Sequence, residues 1–142
     1  MAFTRKATAV WKGTLTEGKG TLDSTSGVLK NTPYAFKNRF DNEPGTNPEE
    51  LIAAAHAGCF AMAFSAALGK DGFTPESIEA TAAVTLDFVG EAPTVTKSEL
   101  TMKAKIPGIS QDDFNKIAEG AKANCPISKL LKADITLNAT LL

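Results

Sequence analysis

The chain has 142 residues, a formal net charge of −1, two cysteines and one histidine. Its length suits one compact domain over residues 1–142, and apolar and charged fractions of 43% and 22% are typical of a soluble globular protein. The near-neutral net charge argues against nucleic-acid binding. Two cysteines are too few for a disulfide scaffold or a four-cysteine zinc site, and a single histidine excludes a multi-histidine metal centre.

Alternation and turn residues predict the elements in chain order. Clusters of Gly, Pro and Asn separate stretches that are apolar at every second position from stretches that are apolar at every third or fourth position. The predicted strands lie at about 5–15, 21–25, 34–40, 78–88, 94–106 and 135–141, and the predicted helices at about 48–68, Ser110 to Ala121 and 126–132. Hairpins with helices between them indicate an α+β fold with antiparallel sheets rather than a doubly wound parallel sheet.

The first long helix is unusually apolar. Asn47-Pro48-Glu49-Glu50 is a strong helix start, and no fully charged side chain follows until Lys70. Such a run is long enough to span a membrane, but its Ala and Gly are weakly apolar and it lacks aromatic belts. A helix that is apolar on every side favours the buried centre of a soluble fold. One small domain is too small to bury that helix on every side, so we expect a homodimer with the two central helices at its centre.

The two cysteines are the first candidates for chemistry. The N-terminal residues carry no apolar stretch behind their positive charges, which predicts a reducing, cytoplasmic location rather than secretion. Cys59, in mid-helix, is either a buried apolar thiol or a reactive one that needs a nearby cation. Cys125, next to Pro126, is either a packing residue or a thiol whose thiolate is favoured by helix N–H groups. If their helices pack together, the thiols could form a reversible disulfide.

Arginine is scarce, since only Arg5 and Arg39 are arginine among the 15 basic residues. Arg39 precedes the loop that leads to the central helix, where it either faces solvent on an edge strand or approaches a thiolate as a permanent cation. Glu49 lies about 80° round the helix from Cys59 and about 15 Å along it, whereas Glu50 lies on the opposite side. Glu49 is therefore the better carboxylate to orient an arginine, besides its simpler role at the helix dipole.

His56 lies one turn before Cys59 on the same helix face. A metal site with both cysteines would have only three ligands and no paired-ligand spacing, and a His–Cys pair for acyl transfer would lack an evident oxyanion hole. The favoured interpretation is a histidine that is hydrogen-bonded in a helix interface. We expect no metal and no cofactor.

Together these motifs resemble the OsmC/Ohr family of thiol-dependent peroxidases, and the OsmC branch in particular, over essentially the whole chain. The matching segments are Trp11 with Gly13, Gly18-Lys19-Gly20, Ser26 to Leu29, Pro33-Tyr34, Arg39-Phe40, Gly45 to Ile52, Ala54 to Ala57, Cys59-Phe60 and Cys125-Pro126. Both cysteine contexts in this order, behind Asn-Pro-Glu, make the resemblance specific. His56 and Ile127 stand where the Ohr branch usually has tyrosines, which favours OsmC.

The resemblance implies an intertwined homodimer with two active sites at its interface. Cys59 corresponds to the peroxidatic cysteine, Cys125 to the resolving cysteine, Arg39 to the activating arginine and Glu49 to the carboxylate that orients it. It further implies a hydroperoxide substrate, a lipoyl-type dithiol reductant and a role in oxidative or osmotic stress defence. Apolar residues near Cys59 (Phe60, Met62 and Phe64) either accommodate an organic tail or form core.

Two other function classes stay open at this point. The chain could be a non-enzymatic binder of an apolar ligand in a dimer-interface pocket, with incidental thiols. It could also be a structural or metal-binding protein.

Overall fold

The N-terminal part of the chain forms a three-stranded antiparallel sheet. In the computed structural model, which describes residues 1–142, the strands are β1 (Ala7–Lys12), β2 (Lys19–Ser24) and β3 (Thr32–Tyr34), in that order. They belong to the first of two compact units, Met1–Leu51, and the second unit is Ile52–Leu142. The predicted strands at 5–15 and 21–25 are therefore present with shorter or shifted ends, and the single domain over 1–142 stays a prediction.

The predicted strand at 34–40 is wrong beyond Tyr34. Phe36–Arg39 form one turn of 3-10 helix, and the rings of Phe36 and Phe40 pack edge to face with centroids 5.1 Å apart. Even spacing suggested a strand, but residues four apart also lie on one side of a helical turn. Arg39 therefore ends a helical turn and is not an edge-strand residue.

The central helix α1 runs over Pro48–Lys70, close to the predicted 48–68. Its start follows from the sequence, because the Asn47 side-chain oxygen accepts a hydrogen bond from the backbone N–H of Glu50 at 2.8 Å. The chain leaves the helix at Gly72, whose φ of 83° is a conformation that suits glycine.

The remaining elements are β4 (Ser77–Val89), β5 (Ala92–Lys105), α2 (Gln111–Asn124), α3 (Pro126–Leu130) and β6 (Asp134–Leu141). The long strands β4 and β5 form the predicted antiparallel hairpin. The strand β6 pairs with β5 in parallel, so the expectation of antiparallel pairing does not hold at this position. The helices α2 and α3 form the crossover that a parallel connection requires.

The core of the second unit lies between α1, β5 and α2. Every fourth residue of α1 from His56 to Leu68 is buried, and the ring of Phe64 meets that of Phe114 edge to face at a centroid distance of 5.8 Å. Because one stripe of α1 faces this core, the helix behaves as the core helix of an α+β fold, as predicted.

By length and composition α1 is also apolar enough to cross a membrane, with a mean hydropathy of 1.8 over its most apolar window. The packing of Phe60, Phe64 and Leu68 against elements of the same unit favours the core-helix interpretation. Other α1 side chains, such as that of Met62, are exposed in the single chain. The homodimer that would cover them stays a prediction.

Candidate active site

The structure brings the two predicted cysteines together within the second unit. Cys59 is half-buried on α1, and Cys125 is fully buried at the junction where α2 ends and α3 begins. Both are free thiols, Cys59 packs against the core cluster that contains Cys125, and each sulfur influences the pKa of the other. The fold therefore brings both predicted cysteines to one cluster, and their pairing as a disulfide stays a prediction.

The two sulfurs have different electrostatic surroundings. Burial has the largest effect on the Cys59 thiol and raises its pKa; the Ile127 backbone N–H opposes burial, and the Cys125 sulfur raises the pKa further. Burial also opposes ionisation of Cys125, but the donors around that sulfur outweigh burial and lower its pKa. These donors are the backbone N–H groups of Ser128 and Ile127, the Cys59 thiol and the Ser128 hydroxyl. These surroundings favour the negative charge on Cys125 over Cys59, and activation of Cys59 by a nearby cation stays a prediction.

Arg39 and Glu49 form an ion pair within the first unit. A guanidinium nitrogen of Arg39 lies 3.2 Å from Glu49 Oε1, and the side chains are 29% and 13% exposed. The second carboxylate oxygen of Glu49 is buried and has no hydrogen-bond partner. Glu50, by contrast, accepts a hydrogen bond from the Thr46 hydroxyl at 2.6 Å. The prediction that Glu49 rather than Glu50 contacts the arginine is confirmed, while the catalytic roles of Arg39 and Glu49 stay predictions.

Two asparagines hold this ion pair in place. Asn47 caps α1 through its side-chain oxygen and donates from its amide nitrogen to the Asn38 carbonyl at 2.8 Å. The buried Asn38 side chain in turn donates to the carbonyls of Glu43 and Pro44. One asparagine therefore ties the 3-10 turn that ends at Arg39 to the helical turn that carries Glu49.

Arg39 also lines an apolar cleft of about 290 Å³ in the first unit. Its walls include Trp11, Tyr34 and Phe36, and the rings of Trp11 and Tyr34 lie 5.4 Å apart. Gly20 lies beneath both rings, where a Cβ atom would collide with them. The sequence does not predict this cleft, because Trp11, Gly20 and Tyr34 belong to three separate motifs.

The apolar residues expected near Cys59 do not form a substrate pocket in the second unit. Phe60 and Phe64 are fully buried core residues, and Met62 is exposed on the surface of α1. The core interpretation is therefore correct for both phenylalanines.

His56 is fully buried between two serine hydroxyls. Its Nδ1 lies 2.7 Å from Ser98 Oγ, and its Nε2 lies 2.8 Å from Ser128 Oγ. Burial lowers the pKa of His56, which favours the neutral ring. The predicted hydrogen-bonded histidine is confirmed, and because both ring nitrogens face hydroxyls, the geometry does not favour a metal site that includes His56.

Comparison with known proteins identifies the family. The family model described as OsmC-like protein matches residues 40–140. The chain is 50% identical to Peroxiredoxin OsmC of Escherichia coli (strain K12) over 138 residues, which cover 97% of this chain and 96% of that protein. The chain belongs to the OsmC family.

Proteins named for organic hydroperoxide resistance are also similar to this OsmC-family chain. It is 34% identical to Organic hydroperoxide resistance protein-like 1 of Staphylococcus saprophyticus over 99 residues, 69% of this chain and 70% of that protein. An OsmC-like protein of unknown function from Vibrio cholerae shares the fold, with a TM-score of 0.78, 19% identity and coverage of 97% and 99% of the two chains. The family, the α+β OsmC-like fold and a peroxidase-type enzyme are confirmed.

Proposed function

We propose that this OsmC-family chain is a hydroperoxide reductase in which Cys59 attacks the peroxide and Cys125 resolves the product. The observation that supports the proposal is the meeting of a half-buried and a fully buried free thiol in one packed cluster. The relatives' names, Peroxiredoxin OsmC and Organic hydroperoxide resistance protein-like 1, support organic hydroperoxides as the substrate class, with hydrogen peroxide as a further substrate. They also support a role in stress defence.

The chemistry needs two sulfur steps. The Cys59 thiolate attacks the terminal oxygen of the peroxide, the O–O bond breaks, and the alkoxide leaves as an alcohol after it takes a proton. The Cys59 sulfenic acid that remains is attacked by the Cys125 thiolate, the S–O bond breaks, and hydroxide leaves as water when it is protonated. The resulting Cys59–Cys125 disulfide is two electrons more oxidised than the two thiols. A dithiol, of the lipoyl type by family resemblance, then reduces it back to the thiols.

Arg39 is proposed as the cation that Cys59 needs in the assembled protein. A guanidinium stabilises both the thiolate and the developing negative charge on the leaving oxygen. Its ion pair with Glu49 supports this role, because the carboxylate holds one guanidinium nitrogen and leaves the others for a ligand. The apolar cleft beside Arg39 is proposed to accommodate the organic tail of the hydroperoxide.

The proposal includes a homodimer in the cytoplasm. The exposed apolar surface of α1, with Met62 72% exposed in the single chain, supports a second copy as its cover. Free thiols at the site suit a reducing compartment. We expect the wild type to sediment at about twice the monomer mass and Met62→Glu to sediment at the monomer mass. A monomeric wild type would contradict the dimer.

The decisive test of the enzyme is Cys59→Ser. With cumene hydroperoxide and dihydrolipoamide, we expect this variant to lose peroxide consumption entirely, because no other thiol is placed to attack first. Ser65→Ala, which removes a hydroxyl from the same helix that has no part in the proposed chemistry, is the matched control and should keep wild-type turnover. Retained turnover in Cys59→Ser would overturn the proposal, and an inert wild type that still binds the hydroperoxide would favour a non-enzymatic binder of apolar ligands.

A further inference from the structure

Asn47 uses both polar atoms of its side-chain amide, at the point where the loop after Arg39 enters α1. Its oxygen accepts a hydrogen bond from the backbone N–H of Glu50 at 2.8 Å, which caps the helix. Its nitrogen donates to the backbone carbonyl of Asn38 at 2.8 Å, nine residues earlier in the chain. Both distances are typical of good N–H···O hydrogen bonds, so one planar amide holds two separate segments of backbone.

Capping alone does not explain why this residue is an asparagine. Aspartate and serine cap helices about as well, and a carboxylate also interacts favourably with the positive end of the helix dipole. An ionised aspartate, however, has no proton to donate. A serine has a single polar atom, which the N–H of Glu50 would engage. Of these three good caps, only asparagine offers a separate donor for the Asn38 carbonyl.

The bond to Asn38 acts on the backbone that carries Arg39. Both residues lie at the end of the 3-10 turn Phe36–Arg39, where backbone carbonyls have no partner within the turn. The Asn38 carbonyl belongs to the planar peptide group that joins it to Arg39. By bonding to this carbonyl, Asn47 fixes the orientation of the backbone from which the Arg39 side chain departs.

The rest of the loop is held by other contacts. The buried Asn38 side chain donates to the carbonyls of Glu43 and Pro44 at 3.1 and 3.3 Å. The backbone N–H of Thr46 donates to a carbonyl of β3 at 3.0 Å. These contacts close the loop on itself and on the sheet, whereas the peptide group at the end of the 3-10 turn is bonded by Asn47.

We infer that Asn47 is a positioning residue for Arg39, and that asparagine is required because one amide must both start α1 and fix the turn that ends at Arg39. The inference rests on the proposed role of Arg39 as the cation of the active site. Glu49 lies in the helical turn that Asn47 caps, so the same side chain orients both partners of the ion pair between Arg39 and Glu49. Asn47 transfers no proton and acts only through Arg39.

The order of the Arg39 side chain can be measured without reference to activity, because the chain has only two arginines. In protein labelled with ¹⁵N-arginine, NMR should show slow rotation of the Arg39 guanidinium, which Glu49 holds, and fast rotation for the exposed Arg5. Arg5→Lys assigns the two signals. Asn47→Ser, which keeps a cap oxygen, should lose the slow signal. Fast rotation of Arg39 in the wild type, or slow rotation in Asn47→Ser, would overturn the inference.

A second variant and a matched control keep this test specific. Asn47→Asp also keeps the cap and lacks the donor, so it should lose the slow signal as well and serves if Asn47→Ser does not fold. Asn115→Ser, the same substitution at an exposed position of α2, should leave the arginine signals and turnover unchanged. Circular dichroism should show wild-type helix content in both Asn47 variants. Loss of the slow signal only together with helix content would assign Asn47 to capping alone and overturn the inference.

Turnover separates this inference from the proposed function. With cumene hydroperoxide and dihydrolipoamide, Asn47→Ser should lower kcat/KM about tenfold, since a slightly misplaced catalytic group loses much of its effect. In an Arg39→Ala background the same substitution should have no further effect, because Asn47 acts through Arg39. Equal losses in both backgrounds, or normal turnover in Asn47→Ser beside a slow Arg39→Ala, would overturn the inference alone. Normal turnover in Arg39→Ala would overturn the proposed role of Arg39, whatever the NMR shows.

Discussion

Replacing Glu49 by glutamine removes the charge that holds Arg39 and leaves the size of the side chain unchanged. At the observed separation of 3.2 Å and an effective dielectric constant of about 20, the gross attraction is about 5 kcal/mol. Solvent screens part of it, because the Arg39 side chain is 29% exposed, and desolvation of the two charges cancels more. We therefore expect Glu49→Gln to lower the free energy of unfolding by about 1–2 kcal/mol.

The loss of activity should exceed the loss of stability in this variant. A guanidinium without its carboxylate samples other rotamers, and a catalytic group that is misplaced by about 1 Å can cost on the order of a hundredfold. Glu50→Gln is the matched control, since it removes a neighbouring charge whose partner is Thr46 rather than Arg39. Two quantities would be measured for both variants: hydroperoxide turnover with dihydrolipoamide as the reductant, and the free energy of unfolding in urea. Equal turnover in Glu49→Gln and Glu50→Gln would refute the role assigned to Glu49.

Three further predictions follow from the contacts of the second unit. Cys125→Ser should consume one equivalent of hydroperoxide and then stop, with Cys59 as sulfenic or more highly oxidised acid by intact mass; sustained turnover would show that Cys125 does not resolve. Phe64→Ala should lower the free energy of unfolding by about 3–5 kcal/mol in urea titrations, because Phe64 is fully buried against Phe60 and Phe114. A loss below about 1 kcal/mol would contradict that packing. Burial lowers the pKa of His56 from its ordinary 6.5, so the unfolded chain binds this proton first and stability should fall as the pH drops below 6.5, by at most about 1.4 kcal/mol per pH unit. His56→Gln should lack this slope in unfolding titrations, and the same slope in both proteins would assign it to other groups.

The strongest local patterns in the sequence predict the helices and long strands well. The Asn47 cap, the serine cap at Ser110 and the long alternating segments all have direct counterparts in the structure, because capping and alternation act over a few residues. The aromatic segment after Tyr34 was misassigned for the same reason, since spacing alone does not separate a strand from a single helical turn. The parallel pairing of β6 depends on where two helices return the chain, which no local pattern encodes.

The candidate site is predictable in its parts but not in its connections. Helix geometry selects Glu49 over Glu50 because both lie on one regular helix, and the Arg39 contact agrees with it. The sequence does not predict Ser98 and Ser128 as partners of His56, because they lie 42 and 72 residues away from it along the chain. Serine is common and carries no motif, so only the packing of α1, β5 and α3 shows that both hydroxyls face the same ring.

The central claim is that Cys59 and Cys125 are the two members of one peroxide-driven redox pair. Mass spectrometry of the intact chain after one equivalent of cumene hydroperoxide, followed by peptide mapping without reductant, tests it most directly. We predict the loss of two hydrogen atoms, a single Cys59–Cys125 crosslink, and full reversal by dihydrolipoamide. Unchanged thiols in folded protein, or oxidation that stops on Cys59 without the crosslink, would contradict the claim.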